Sequence, residues 1–200
     1  MKIHNLEKTV GNFQLKIDDL TIEHGKIHGI IGHNGSGKTV LLKLIMGILK
    51  PDQGYIDYEG IKPQDMTMMT QRPYLLHSSV YDNLIYPLKL RKIKPDEAEI
   101  DKLLERVGLL AQKKQYARSL SSGERQKLSF LRAIIFKPKL IVVDETLSNM
   151  DEESENLFED IIREIQAEEP VTWIMVNHQV DRIYGLCDVV HKMEKGRVIE

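Results

Sequence analysis

Residues 32–39 read GHNGSGKT: three glycines within six positions, followed at once by a lysine and a threonine. Glycine suits positions where the backbone needs positive φ or must approach something closely. Asn-Gly is also a common turn pair, so a flexible turn is the plain reading. The spacing G-x-x-x-x-G-K-[ST] supports a sharper one. Backbone N–H groups along Gly32, His33, Asn34, Gly35, Ser36 and Gly37 can converge on one anion. Lys38 then reaches β- and γ-phosphates, and the Thr39 hydroxyl ligates Mg²⁺. Chance supplies the pattern in roughly one chain per hundred of this length or fewer, so the loop is read as a phosphate cradle.

Other residues suit the same chemistry. LIVVDE (140–145) is an apolar run ending in two acids. Asp144 has the type and place of the aspartate that holds Mg²⁺ in P-loop ATPases. Glu145 is not needed for that task and can accept a proton from an attacking water, or polarise it. The plain alternative is a pair of acids opening a loop. His178 ends VTWIMVNH and can bond a γ-phosphate and hold the water in line; a lone histidine after a strand is otherwise structural. Gln71, after MTMMT, can ligate Mg²⁺ or water, or simply cap a strand. LSSGERQKLSFLRAI (120–134) opens a helix with Ser121, Ser122 and Gly123. That is either an anion site or a plain capping box of Ser121 with Glu124, and locally the two are indistinguishable.

The elements that must carry these residues follow from periodicity. KIHGII (26–31) reads as a buried strand before the cradle, and residues 40–49 as an apolar helix after it. Residues 1–31 alternate apolar and polar, with turns at Gly11 and at His24-Gly25. YIDYEGI looks like a hairpin strand and MTMMTQ like a strand entering the core. Residues 72–130 are helical in character, including DEAEIDKLLERVGLL. EESENLFEDIIREIQAEE is an amphipathic helix with an acidic face, and CDVVHKMEKGRVIE closes as a hairpin at Lys195-Gly196. Strands alternating with helices predict an α/β sheet. Ligands bind at the strand ends of such sheets, which places the cradle, Gln71, Asp144-Glu145 and His178 on one rim.

The 200 residues suit a single domain. A net charge of −2 offers no broad basic footprint for nucleic acid. One cysteine, Cys187, excludes an internal disulfide framework and fits a reducing compartment. The opening MKIHNLEK has no signal-peptide pattern, and no apolar run approaches membrane-spanning length. Trp173 reads as core, Met66, Met68 and Met69 as gap-fillers, and Cys187 as a buried small hydrophobe. His24, His28 and His33 show no metal-ligand pattern.

Together these motifs resemble the ATP-binding subunit of an ABC transporter over essentially the whole chain. GHNGSGKT is similar to the Walker A loop, LIVVDE to Walker B with its catalytic glutamate, and Gln71 to the Q-loop. LSSGE is similar to the signature motif LSGGQ, SNMD (148–151) to the D-loop, and Asn177-His178 to the H-loop. The order fits, with Lys38 and Asp144 separated by 106 residues. The resemblance implies a P-loop NTPase (RecA-like) α/β core with an antiparallel β subdomain and an α-helical insert (72–130), as one domain over 1–200. It implies a transport-coupled ATPase with ATP and Mg²⁺ as cofactors. Glu145 and His178 would be catalytic, and Thr39, Gln71 and Asp144 would hold the metal. Two subunits, this chain twice or with a related one, would pack head to tail. Ser121 and the Gly123 backbone would then touch the γ-phosphate bound by the partner, and Asp151 would bridge the sites. Residues 72–90 would dock on a membrane permease, with Gln71 as the hinge that senses the γ-phosphate; their plain reading is packing of the insert. A substrate-binding protein is a further partner of an importer, and no nucleic-acid partner is expected. The chain would sit peripherally on the cytoplasmic face of the membrane.

Several residues depart from the family pattern. Ser122 replaces a glycine, Glu124 a glutamine, and Thr146 a proline. Val40 stands where a second hydroxyl usually contacts the α-phosphate. None removes a metal ligand or the base, so an active ATPase is expected, if a slower one. Phe13 is nearest to the adenine-stacking aromatic but suits a core strand equally. The chain stops after MEKGRVIE, so no C-terminal regulatory domain is expected. The stretch 66–92 is most similar to importers of oxyanions such as tungstate or molybdate. A soluble ABC-type ATPase acting on DNA or ribosomes is the alternative, but those families usually join two cassettes or insert long coiled coils. A non-hydrolysing regulator is opposed by Glu145 and His178.

Overall fold

The computed structural model describes residues 1–145, 151–177 and 179–199. Its centre is a six-stranded sheet in the order β5-β6-β7-β3-β8-β9. The strands are β3 (Ile27–Ile31), β5 (Met66–Thr70), β6 (Leu140–Asp144), β7 (Thr172–Val176), β8 (Val189–Glu194) and β9 (Arg197–Val198). The first five run parallel and β9 turns back antiparallel on β8. Every residue of β6 and β7 is buried, as the unbroken apolar runs of parallel strands require.

Period two divides those strands between two cores. Ile141, Val143, Trp173 and Met175 face one side, and Leu140, Val142, Ile174 and Val176 the other. The second core is closed by an antiparallel sheet, β2-β1-β4, built from β1 (Lys2–Val10), β2 (Phe13–Thr21) and β4 (Gln53–Asp57). Between the two sheets runs α1 (Lys38–Ile45), burying Leu41, Leu42, Leu44 and Ile45. The strand within YIDYEGI therefore pairs with the distant β1 rather than with a sequence neighbour.

The first core is covered by α2 (Val80–Leu90), α3 (Glu97–Arg106), α4 (Ser122–Ile134), α5 (Glu152–Glu168) and α6 (Val180–Leu186). Phe130 of α4 stacks on Phe158 of α5 with centroids 4.0 Å apart. The helical character read for 72–130 takes in α2 without its bounds, and periodicity missed α6. Pro87 interrupts the helical pattern of α2, and α6 is only seven residues with Gly185 inside it. The structure also divides the 72–90 stretch. Leu75, Val80, Leu84, Ile85 and Leu88 are buried, whereas Tyr74 is 69% and Leu90 63% exposed. Among the described residues no helix is long and apolar enough to cross a membrane.

Candidate functional site

The rim where the parallel strands end carries the residues singled out by type and spacing. β3 runs into residues 32–37, and α1 starts at Lys38 with Gly37 as its N-cap. That cap makes no side-chain hydrogen bond, and the first turn of α1 holds no acid. Its first N–H groups therefore remain open to an anion. Two glycines are sterically obligatory. A Cβ on Gly32 would lie 2.3 Å from the Met193 carbonyl oxygen, and one on Gly37, at φ 106°, would lie 2.7 Å from the Phe13 ring. The loop is also held from outside: the Gly196 N–H donates to the Ser36 carbonyl at 2.9 Å, and the Lys16 N–H donates to Gly196 O at 2.8 Å. This buttress, made by the β8–β9 turn and β2, carried no signal in the loop motif itself.

A cleft of about 620 Å³ opens over the loop. Its lining is Asn34, Gly35, Gly37, Lys38, Thr39 and Val40 from the loop and α1, Gln71 and Glu145 from beyond the ends of β5 and β6, and the apolar Val10 and Phe13. Phe13, the nearest aromatic to a base-stacking position, thus reaches the cleft while its ring edge covers Gly37. Inside, Lys38 Nζ donates to Gly32 O at 2.7 Å and His33 O at 3.2 Å. Burial pushes the Lys38 ammonium below its ordinary range, against the pull of Glu145 and Asp144. Burial likewise pushes the Asp144 carboxyl up, and the Glu145 charge adds to this. An entering polyphosphate would meet a cation that donates to two loop carbonyls. Thr39 Oγ1 donates to Asp144 Oδ1 at 3.3 Å. Two hard oxygens so placed, one raised by burial, fit a small divalent cation that would relieve the penalty. Gln71, the third ligand suggested by the motif, is on the same cleft.

Glu145 adopts φ 53°, in the left-handed region, while its N–H donates to Val176 O at 3.0 Å. A long side chain held there costs of order 1–3 kcal/mol and marks a position constrained by its surroundings. The chain bends there at the end of β6, and Glu145 lines the cleft. His178 lies outside the described residues, as do residues 148–150 of the SNMD stretch.

Four other expected residues, Ser121, Ser122, Gly123 and Asp151, do not line the cleft within this chain. Ser121, Ser122 and Gly123 form the helix cap: Ser121 Oγ accepts the Glu124 N–H at 3.3 Å, and Glu124 Oε2 accepts the Ser121 N–H at 2.8 Å. Those bonds hold the Glu124 carboxyl below its ordinary range. Asp151 caps α5, accepting the Ser154 N–H at 2.8 Å, which lowers its carboxyl too. Sequence reasoning also passed over Gln126, whose amide bonds the backbone of Gln71.

Comparison with known proteins gives the chain a family. The family model described as ABC transporter matches residues 15–148. The tungstate uptake system ATP-binding protein TupC of Peptoclostridium acidaminophilum is 36% identical over 205 residues, covering 99% of this chain and 96% of that one. The methionine import ATP-binding protein MetN 1 of Paraburkholderia xenovorans is 36% identical over 200 residues, covering 91% of this chain. The chain spans only 57% of that relative's length. Among solved structures, CbiO1 of Clostridium perfringens, described as part of the ABC transporter complex CbiONQ, superposes with a TM-score of 0.81 at 27% identity, covering 100% of this chain and 86% of that one. A nucleotide-free ATP-binding cassette from an ABC transporter gives 0.79 at 25% identity, covering 100% and 89%. The family match spans two thirds of the sequence and includes the cradle, the signature-like helix and the paired acids, so the chain belongs to the ABC transporter family, as one of its ATP-hydrolysing cassettes.

Proposed function

We propose that this chain is the ATPase subunit of an importer, binding ATP with Mg²⁺ and passing the energy of hydrolysis to a membrane permease. The cargo proposed is an oxyanion of the tungstate or molybdate kind. The observation that carries the cargo is end-to-end similarity to a protein named for tungstate uptake, against just over half of a relative named for methionine import.

The chain's own groups suit the chemistry. Backbone N–H groups of residues 32–39 and the first turn of α1 would bind the phosphates. Lys38 would exchange its two loop carbonyls for phosphate oxygens. Thr39, Asp144 and Gln71 would hold Mg²⁺, which supplies charge neutralisation on the phosphates. Glu145 would take the proton of the attacking water, and His178 would bond the γ-phosphate. Hydrolysis completes only when a second subunit packs head to tail, bringing Ser121, Ser122 and Gly123 to the opposite nucleotide and Asp151 between the sites. Their confinement to helix caps in the single chain accords with a site finished by another subunit. Residues 72–130 form the helical part of one domain over 1–200, and the exposed Tyr74, Tyr86 and Leu90 offer aromatic and aliphatic anchors for the permease. The working location is the cytoplasmic face of the membrane, with a substrate-binding protein on the other side.

The test is purification of the tagged chain from native, detergent-solubilised membranes. A co-purifying multi-span permease, with tungstate or molybdate uptake lost on deletion of the gene, is expected. Recovery of ribosomes or DNA-repair proteins would overturn the transport reading.

A further inference from the structure

One buried side chain joins the helix that opens at Ser122 to the polar end of β5. Gln126 is on that helix, three residues beyond Gly123, and is 6% exposed. Its Nε2 donates to the backbone carbonyl of Gln71 at 2.7 Å. Only the amide NH₂ can face a carbonyl, so this bond sets the orientation of the amide. Among the described residues it leaves Gln126 Oε1 buried without a donor. An apolar side chain of the same length would avoid stranding that acceptor, so packing alone does not account for a glutamine here. The amide provides a link instead. α4 packs on α2 and on β5, and its N-terminal turn carries Ser122 and Gly123. Gln71, at the other end of the bond, lines the cleft with Lys38, Thr39 and Glu145.

We propose that Gln126 is a positioning residue for hydrolysis. Its bond to the Gln71 carbonyl sets how far the Gln71 side chain projects into the cleft. It also makes residue 71 and the start of α4 shift together, so events at one cleft wall reach the surface offered to a second subunit. This rests on the ATPase reading of the cleft, because it gives Gln71 a place beside the reacting phosphate.

Three variants of the full chain test it. Gln126→Met keeps the length and deletes both the bond and the stranded acceptor. Gln126→Glu keeps the shape and turns an acceptor toward the carbonyl. Gln126→Lys restores a donor with enough reach. For Gln126→Met the melting temperature should stay within about 2 °C of the parent or rise. Affinity for MgATP should stay within about twofold while kcat falls about tenfold, a split that separates misplacement from lost binding. Gln126→Glu should lose as much, and Gln126→Lys should recover part of kcat. Gln71→Ala should slow the parent strongly but slow Gln126→Met by less than about twofold more, because both changes act through one side chain. Parental kcat in Gln126→Met would overturn the proposal. So would a loss of kcat matched by equal losses of stability and affinity, or full additivity with Gln71→Ala. A parent chain that hydrolyses no ATP, or whose rate is unaffected by Glu145→Gln, would instead sink the ATPase reading itself.

Discussion

The Thr39 hydroxyl donates to the Asp144 carboxylate across 105 residues of sequence, at 3.3 Å. The first turn of α1 is laid against the end of β6 because both bury apolar faces in the core between the two sheets. The pair is thus a product of packing, and it sets two hard oxygens side by side next to the cleft that Thr39 lines.

Asp144→Asn tests that pair as a metal site. ATP affinity measured with a chelator present should change little, within about twofold. The gain in affinity on adding Mg²⁺ should shrink, and hydrolysis should fall by roughly two orders of magnitude or more. Isothermal titration with and without Mg²⁺, beside a phosphate-release assay, gives both numbers. An undiminished Mg²⁺ dependence would remove Asp144 from the site.

Glu145→Gln keeps the length of the side chain and removes the carboxylate proposed as the base. Hydrolysis should drop about 10²–10⁴-fold. Affinity for ATP should hold, and saturating MgATP should shift the variant from monomer to dimer on size exclusion. A variant that stays monomeric would exclude the head-to-tail sandwich for this chain.

Gly196→Ala tests the buttress behind the cradle. Its Cβ would fall 2.1 Å from the Gln14 carbonyl oxygen, at a φ of 79°. Either the hairpin or β2 must give way, and the Gly196–Ser36 bond with it. A stability loss of about 1–3 kcal/mol is expected, with weaker MgATP binding although residue 196 does not line the cleft. Thermal melts and nucleotide titration decide the point; unchanged affinity would mean the loop holds its shape unaided.

Stability should also depend on pH through a buried histidine pair. His28 Nε2 lies 3.1 Å from the Glu23 carbonyl and must donate to it, and in a neutral pair its Nδ1 accepts from His191 Nε2 at 3.1 Å. Burial of both rings favours that neutral pair. Burial lowers both, and the neighbouring His28 helps take His191 down to about 4. Between the ordinary histidine value near 6.5 and about 4, the unfolded chain binds more protons than the folded one. Stability should be full above that window and fall as pH drops through it, by at most about 1.4 kcal/mol per pH unit for each group. Chemical denaturation from pH 7.5 to 4.5 should show this slope, and His191→Leu should flatten it. An equal slope in the variant would assign the dependence to other groups.

The chemistry of the site was legible because its signals are local. The cradle needs glycines and a lysine at set spacing, and Asp144-Glu145 needs an apolar run before it, so both could be read from short stretches. Two strands of the parallel sheet, β6 and β7, were equally plain, since the apolar runs LIVV and WIMV leave few alternatives. The bounds of α2, and α6 altogether, escaped because Pro87 and Gly185 break the helical period. The role of LSSGE could not be settled locally, as a capping box and an anion site use the same residues.

By itself, then, the sequence determined the α/β class, the phosphate loop and the acids at the end of β6, all of which are set by backbone requirements within a few residues. Only the tertiary structure decided which distant groups meet. The strand order set Asp144 against Thr39, and the β8–β9 turn against Ser36. The packing of α4 on β5 set Gln126 against Gln71. Each contact joins elements far apart in the chain, through burial shared between them, and no local pattern encodes that pairing.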